Sequence, residues 1–195
     1  MKKFFSNEIF LGTMIAVLSV FTAYVSYLGA ISDSKQNEYE IQGMKDLNDG
    51  NAEYLRANQD ITQDYNYFDN WYLNVDERPE IAEYYQFNFS EALSSSFESD
   101  PDVVWTEEYY DAMYADAYVY WDNSDLNFEI ASEFDERGDQ LQLVMLIAAL
   151  GLAFVAWASL LGADSNMRIL FAVLGTIALI AGAIIYFVIV PNVVV

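Results

Sequence analysis

Carboxylates, tyrosines and hydroxyls are the only side chains in this sequence of 195 residues that could do chemistry near neutral pH, because the chain has no His and no Cys. Their absence removes the usual nitrogen and sulfur ligands of zinc, the usual general base and the thiolate nucleophile. Disulfides are excluded as well. We therefore predict that the protein is not an enzyme and has no catalytic residue.

The carboxylates could instead bind a cation. Residues 46–53 resemble the start of an EF-hand loop but lack its regular ligand spacing and its closing glutamate, and residues 122–125 have the same defect. A third acidic group lies between residues 98 and 111, around a predicted loop. Charge runs of this kind usually form a solvated face, so we predict no cofactor and no metal ligand. Loose binding of Ca²⁺ or Mg²⁺ to the third group is the alternative. That group consists of Glu98, Asp100, Asp102, Glu107, Glu108 and Asp111.

The sequence is also rich in aromatic residues, with 15 Tyr, 13 Phe and 4 Trp. Many lie between residues 65 and 89, where they would fill a narrow helical core in place of aliphatic side chains. The alternative is an exposed surface for a partner, because Tyr and Trp are common anchors of protein interfaces. Its candidate residues are Trp71, Tyr72, Tyr84, Tyr85 and Phe87.

The net charge of −22 excludes nucleic acid as a partner, because a phosphate-binding protein needs a basic surface. Three apolar runs indicate the lipid bilayer instead. They comprise residues 9–31, 141–163 and 169–190, contain no charged residue and are long enough to cross about 30 Å of hydrocarbon. The same lack of charge argues against an ion path through the spans.

The basic residues set the expected orientation. Lys2 and Lys3 precede the first span, and Arg168 lies in the short turn between the second and third spans. Lys35 and Arg137 flank the membrane on the opposite side. With three basic residues against two, the positive-inside rule mildly favours a cytoplasmic N-terminus and an extracytoplasmic acidic domain in a multi-pass protein of the cell membrane. Outside the spans, the predicted segments are the cytoplasmic N-terminus 1–8, the acidic helical domain 32–140, the turn 164–168 and the tail 191–195.

A repeat of seven residues links the first span to the acidic region. Small residues recur at alternating intervals of four and three along the span, and the same count continues as far as Tyr72. Because such a count is typical of one helix in an antiparallel pair, we predict a helix over about residues 8–73, roughly 100 Å long. The small residues are Gly12, Ala16, Ser19, Ala23, Ser26 and Ala30, and from residue 44 onward the predicted contact positions are Met44, Leu47, Asn51, Tyr54, Asn58, Ile61, Tyr65, Phe68 and Tyr72.

The returning segment has a complementary repeat, which predicts a second long helix over about residues 104–162. One series is mostly small and the other mostly large, so that the outgoing helix can pack closely against it. The two series are Tyr110, Ala117, Ser124, Ala131, Gly138 and Met113, Tyr120, Asn127, Phe134, Leu141.

Between the long helices, Pro79 near a helix start and apolar residues at helical spacing predict one short helix over about residues 79–93. The serines at 94–96 and the run 99–101 predict a loop after it. The expected fold is an all-α membrane protein. Its three transmembrane helices carry an extramembrane long-short-long helical bundle that is continuous with spans 1 and 2.

Residues 51–54, 70–72 and 134–139 carry a resemblance to a group of uncharacterised prokaryotic membrane proteins. Members of that group have one N-terminal span, a helical segment with recurrent Asn, Gln, Ala and aromatic residues, and two C-terminal spans. The resemblance covers most of the chain in layout, and the strong acidity of this chain departs from it. The group has no function known to us, so the resemblance implies the three-span layout and no activity.

These patterns together favour a non-enzymatic, membrane-anchored helical scaffold or accessory subunit that presents an acidic, aromatic-rich domain to partners. The seven-residue repeats of the two long helices and the small residues in the spans predict a homo-oligomer or a larger membrane complex. The alternative function is an extracytoplasmic sensor or a module that binds a cation or a small ligand. A well-formed pocket in the bundle would favour that alternative.

Overall fold

The computed structural model of the chain describes residue 5 and residues 7–193. The described part is helical and contains no strand, which confirms the all-α class. Three of its helices are long and apolar enough to cross a membrane. The predictions made for Lys2 and Lys3 lie outside the described residues. The helices are α1 (Glu8–Asn74), α2 (Pro79–Phe87), α3 (Glu91–Ser99), α4 (Glu107–Leu160) and α5 (Asn166–Ile184), and a π-helical turn (Ile185–Ile189) follows α5.

Helix α1 runs without interruption over 67 residues, as the seven-residue repeat predicts. No proline lies between Glu8 and Asn74 to break it. Four asparagines in its last third donate their side-chain N–H groups to the carbonyl four residues earlier; the first is Asn58, which donates to Tyr54 at 2.8 Å. These bonds use amide groups that would otherwise compete with the helix. The others run from Asn66 to Thr62, from Asn70 to Asn66 and from Asn74 to Asn70, each 2.7–2.8 Å long.

In the first span, the face on which α1 packs differs from the prediction. All six small residues there are exposed, and Met44 and Leu47 are exposed too. The buried positions of the span lie one residue earlier, at Leu11, Leu18 and Val25, and a shift of one residue rotates a helix face by about 100°. Farther along α1 the predicted positions do meet other helices: Ile61 is buried, and Asn51 and Asn58 accept hydrogen bonds from α4.

The repeat in α4 was assigned correctly. Ala117, Ser124 and Ala131 are each at most 3% exposed, and Phe134 and Leu141 of the second series are buried as well. Small residues in one series leave room for a neighbouring backbone, and large residues in the other fill the seam.

Two short helices, rather than one helix and a loop, connect α1 to α4. The predicted loop at residues 94–96 is wrong, because these serines lie inside α3. The helix is interrupted earlier, because α2 ends at Phe87 and α3 begins at Glu91. There the Ser90 side chain caps the new helix by accepting the N–H of Leu93 at 3.1 Å.

The chain divides into two compact units. The membrane unit comprises Met1–Glu40 and Phe128–Val195, and the acidic unit comprises Ile41–Asn127. In the membrane unit, α4 and α5 approach most closely where Gly151 and Gly175 meet. A Cβ atom on Gly175 would lie 3.0 Å from the Gly151 carbonyl oxygen. Contact this close is the usual basis of helix association in lipid.

One other prediction for the membrane unit needs correction. Arg168, expected in a surface turn, is the third residue of α5 and is only 3% exposed. Its guanidinium donates to the Leu161 carbonyl at 2.8 Å, beside the C-terminal end of α4, where a positive charge is favoured.

Candidate functional site

An aromatic core holds helices α1, α3 and α4 together in the acidic unit. Ile61 of α1, Leu93 of α3 and Tyr109 of α4 are buried in one cluster. Rings surround it on all three helices, and Trp105 lies 5.5 Å from Phe68 and 5.1 Å from Tyr109 between ring centroids. Aromatic pairs at such edge-on distances add about 0.5–1.5 kcal/mol each beyond the burial of their area.

A buried carboxylate lies beside this core. Asp64 of α1 is 2% exposed, yet both of its oxygens are hydrogen-bonded. Its Oδ1 accepts the backbone N–H of Ser90 at 3.0 Å, and its Oδ2 accepts the Ser90 hydroxyl at 2.5 Å and the Tyr109 hydroxyl at 2.9 Å. Asp64 therefore links α1 to the start of α3 and to the first turn of α4. Burial of a carboxylate is tolerated when its lone pairs are satisfied in this way.

The Asp64 network joins three helices. The Ser90 hydroxyl donates to Asp64 and at the same time accepts the N–H of Leu93 as a helix cap. Together with the bond from the Tyr109 hydroxyl, these contacts link α1, α3 and α4.

The same contacts change the acidity of two tyrosines. Burial, followed by the bond to Asp64, raises the pKa of the Tyr109 hydroxyl well above its ordinary value. The hydroxyls of Tyr65 and Tyr110 lie 2.6 Å apart, and this bond raises the pKa of Tyr65 to about 12. The hydroxyls of Tyr109 and Tyr65 therefore stay protonated, and can donate, throughout the physiological pH range.

A cleft with a volume of about 1060 Å³ opens above this network. Helices α1, α3 and α4 each contribute to its wall, and Asp64, Ser90 and Tyr109 are part of its lining. Six carboxylates and one guanidinium line it, and the remaining polar groups are mostly hydroxyls and amides. Arg56 is the single basic residue in the lining, and it pairs with Glu53 at 3.0 Å and with Asp60 of the lining at 3.9 Å. The acidic lining residues are Asp60, Asp64, Glu91, Asp100, Glu108 and Asp116.

The predicted acidic group is only partly brought together. Asp100 and Glu108 line the cleft, whereas Glu98, Asp102, Glu107 and Asp111 do not. Among residues 5 and 7–193, no three acidic side chains converge as a metal site would require. Within the group, Asp100 accepts the backbone N–H of Asp102 at 3.0 Å. The pKa of Glu108 is lowered by its own backbone N–H and then by the Thr106 hydroxyl.

The predicted aromatic surface is divided by the fold. Tyr72, Tyr84 and Phe87 are 69%, 64% and 88% exposed. Trp71 and Tyr85 are only partly exposed, because Trp71 packs edge-on against Phe97 with their ring centroids 4.8 Å apart. Trp71 thus supports the aromatic core, and an exposed partner surface is reduced to the other three residues.

Sequence reasoning missed Asp64, Ser90 and Tyr109, although one signal for the first of them was present. The face of α1 that packs in the acidic unit repeats every seven residues and begins with three small residues. Small residues at that spacing mark where another backbone approaches, and the next position in the series is the buried carboxylate. The series is Gly43, Gly50, Ala57 and Asp64.

The sequence matches no protein-family model, and comparisons with curated proteins and with solved structures find no match. The resemblance in layout to three-span prokaryotic proteins therefore stays a prediction.

Proposed function

We propose that the protein is a non-enzymatic, membrane-anchored helical scaffold or accessory subunit, which presents an acidic, aromatic-rich domain to partners outside the cytoplasm. The main support is the outward face of the first span. Six small residues from Gly12 to Ala30 recur along that face and are exposed, while Leu11, Leu18 and Val25 pack inside the chain. In lipid, helices associate where small residues let two backbones approach.

This face is suited to a helix from another subunit. Beside it, an apolar groove of about 470 Å³ is lined by residues that include Ala16, Val20 and Tyr24. The chain's own spans leave the face open, so a second copy of the chain is the first occupant to test. Exposed Tyr72, Tyr84 and Phe87 in the acidic unit supply apolar surface of the kind that other partners bind.

The mass of the full chain in nanodiscs tests the proposal. We expect an oligomer, and we expect the double variant Ala16→Leu with Ala23→Leu to reduce it to a monomer, because two added side chains would separate the backbones. The control is Leu146→Phe with Leu150→Phe, which also adds volume to α4, at exposed positions where the native side chains are already large. A monomeric wild-type protein that also copurifies with no other membrane subunit would contradict the scaffold role.

The extracytoplasmic location of the acidic unit is part of the same proposal. Because the sequence contains no Cys, an Asp69→Cys variant carries one thiol, on an exposed residue of the acidic unit. A membrane-impermeant maleimide should label it in intact cells and should not label an Ala163→Cys variant, in the turn after α4. The reverse pattern would place the acidic unit in the cytoplasm.

A second candidate function is the binding of a small cationic ligand. The observation that favours it is the cleft of the acidic unit, whose size lies at the upper end of ordinary ligand pockets and whose lining is acidic. A scaffold role does not require such a cleft, so the two functions can be tested separately.

A further inference from the structure

We infer that the cleft of the acidic unit binds a linear polyamine, an organic chain that carries several separate ammonium groups. The inference deepens the second candidate function and is independent of oligomer formation. It starts from the cavity itself, a cleft of about 1060 Å³ between three helices whose relative position is fixed by Asp64. A ligand would meet a preformed surface, which lowers the cost of ordering the protein on binding.

The charge of the lining selects a cation. The lining has six carboxylates and one guanidinium, that of Arg56, which pairs with Glu53 and, at 3.9 Å, with Asp60. Asp64 accepts hydrogen bonds from Ser90 and Tyr109. Most of the charge that a ligand would meet therefore comes from the other carboxylates, which are Glu91, Asp100, Glu108 and Asp116. The net charge of −22 on the whole chain raises the local concentration of cations around this wall. Ammonium groups have three N–H donors and no acceptor, and they match a wall in which carboxylate and hydroxyl acceptors outnumber donors.

The spacing of the carboxylates selects several charges over one. No three acidic side chains among residues 5 and 7–193 converge on a single point, so one divalent ion would lack its ligands. The carboxylates come from different walls: Asp60 from α1, Glu91 from α3 and Asp116 from α4. Along α4, Glu108 and Asp116 are separated by roughly 12 Å at the rise of an α-helix. A flexible chain with amines every few carbons can reach acids on more than one wall.

The cleft also offers surfaces for the carbon segments between the amines. Tyr67, Ala112 and Met113 lie in its lining, and an ammonium group near a tyrosine ring gains a further cation–π attraction. A lining that contains both acids and apolar side chains suits a ligand that carries both ammonium groups and carbon segments.

Spermine is the probe, and calorimetry on the full chain in nanodiscs of zwitterionic lipid is the measurement. We expect saturable binding to one site per chain. The triple variant Asp60→Asn, Glu91→Gln, Asp116→Asn removes one carboxylate from each wall and should weaken binding at least tenfold. The matched control Asp69→Asn, Glu98→Gln, Asp122→Asn removes the same charges from exposed positions of the same three helices outside the cleft. It should change the affinity by less than about twofold, which corresponds to under roughly 0.5 kcal/mol.

Three results would overturn the inference. Equal weakening in both triple variants would show that spermine responds to net charge alone. Equally tight binding of Mg²⁺ at the same ionic strength would indicate an ion site. Binding of tetralysine without binding of spermine would make the cleft a docking surface for a basic peptide. Unchanged tryptophan fluorescence of each variant confirms that its fold is intact, and the nanodisc mass shows independently whether the scaffold role holds.

Discussion

Helices α1 and α4 run through both units, but the contacts that stabilise the inside of each unit differ. In the membrane unit, helices meet through bare backbone, as at Gly151 and Gly175. In the acidic unit, they meet through a ladder of polar side chains. Its bonds join Ser124 to the Gly43 carbonyl, Asn127 to Asp46, Trp121 to Asn51, Tyr114 to Asn58 and Tyr109 to Asp64, at 2.9–3.3 Å.

The surrounding solvent accounts for the difference. Lipid tails are as apolar as the side chains that face them, so burying apolar area between spans gains little, and close contact becomes the main source of stability. In water, burial of aromatic area drives assembly, and a ladder of paired polar groups selects one register. The same pair of helices therefore associates by different contacts along its length.

Removing the buried carboxylate should have the largest effect. We expect Asp64→Ala to lower the free energy of unfolding of the acidic unit by about 3 kcal/mol, because it leaves the donors of Ser90 and Tyr109 buried without an acceptor. Denaturation by urea in nanodiscs measures this. Tryptophan fluorescence in a Trp157→Phe background follows it, since the other three tryptophans lie in the acidic unit.

The control for this variant is Asp69→Ala, at an exposed position of the same helix. Surface changes of this kind usually alter stability by no more than about 0.5 kcal/mol. If both variants lost the same stability, the loss could not be assigned to the buried network.

Adding one methyl group should break the membrane unit in turn. In Gly175→Ala the new Cβ would lie 2.3 Å from Val155 Cγ2 and 3.0 Å from the Gly151 carbonyl oxygen, so α4 and α5 must separate. We expect a loss of about 2 kcal/mol. A cysteine placed at buried Ala158 should then react with a maleimide roughly 30 times faster, since this energy corresponds to about that factor.

Gly12→Ala is the matched control, because nothing lies within 4 Å of the added methyl group. It should leave the labelling rate at Ala158→Cys unchanged. Faster labelling in both variants would mean that the membrane unit depends on glycine for flexibility and not for close contact.

The sequence was sufficient for the two long helices, and insufficient for the two short helices and for the packing of α1 in the first span. Uninterrupted repeats and the absence of proline predicted α1 and α4 to within a few residues. The packing face of α4 was also predictable, because small and large residues separate cleanly into its two series. On α1 the rule that small residues face inward failed in the first span, where Leu11 and Leu18 face inward instead.

The candidate site was harder to predict because it depends on contacts between distant residues. Asp64 and Tyr109 are 45 positions apart, and the sequence marks Asp64 only by its place after Gly43, Gly50 and Ala57 in the seven-residue series. The cap at Ser90 was locally visible, since a serine precedes an acidic residue and an apolar run. The serines after it outweighed that signal and suggested a loop.

High pH should weaken the acidic unit by a smaller amount. The pKa of Tyr65 is raised to about 12 in the folded chain, against about 10 for an unfolded tyrosine. Its contribution is therefore complete below pH 10, where both states are protonated. It falls between pH 10 and 12, where only the folded state keeps the proton. Allowing for solvent screening at a side chain that is 39% exposed, the loss should be on the order of 1 kcal/mol.

The variant Tyr65→Phe should remove this part of the pH dependence, while Tyr72→Phe, at a 69% exposed position, should keep it. Urea denaturation at pH 8 and at pH 11, followed by the same tryptophan fluorescence, compares the two variants.

The membrane unit offers an internal reference, because its contact at Gly175 involves no titratable group. Maleimide modification of Ala158→Cys, corrected for thiolate ionisation, should therefore report the same opening at both pH values. An equal pH effect on both units would show that charge repulsion over the whole chain, rather than the hydroxyl pair of Tyr65 and Tyr110, causes the loss.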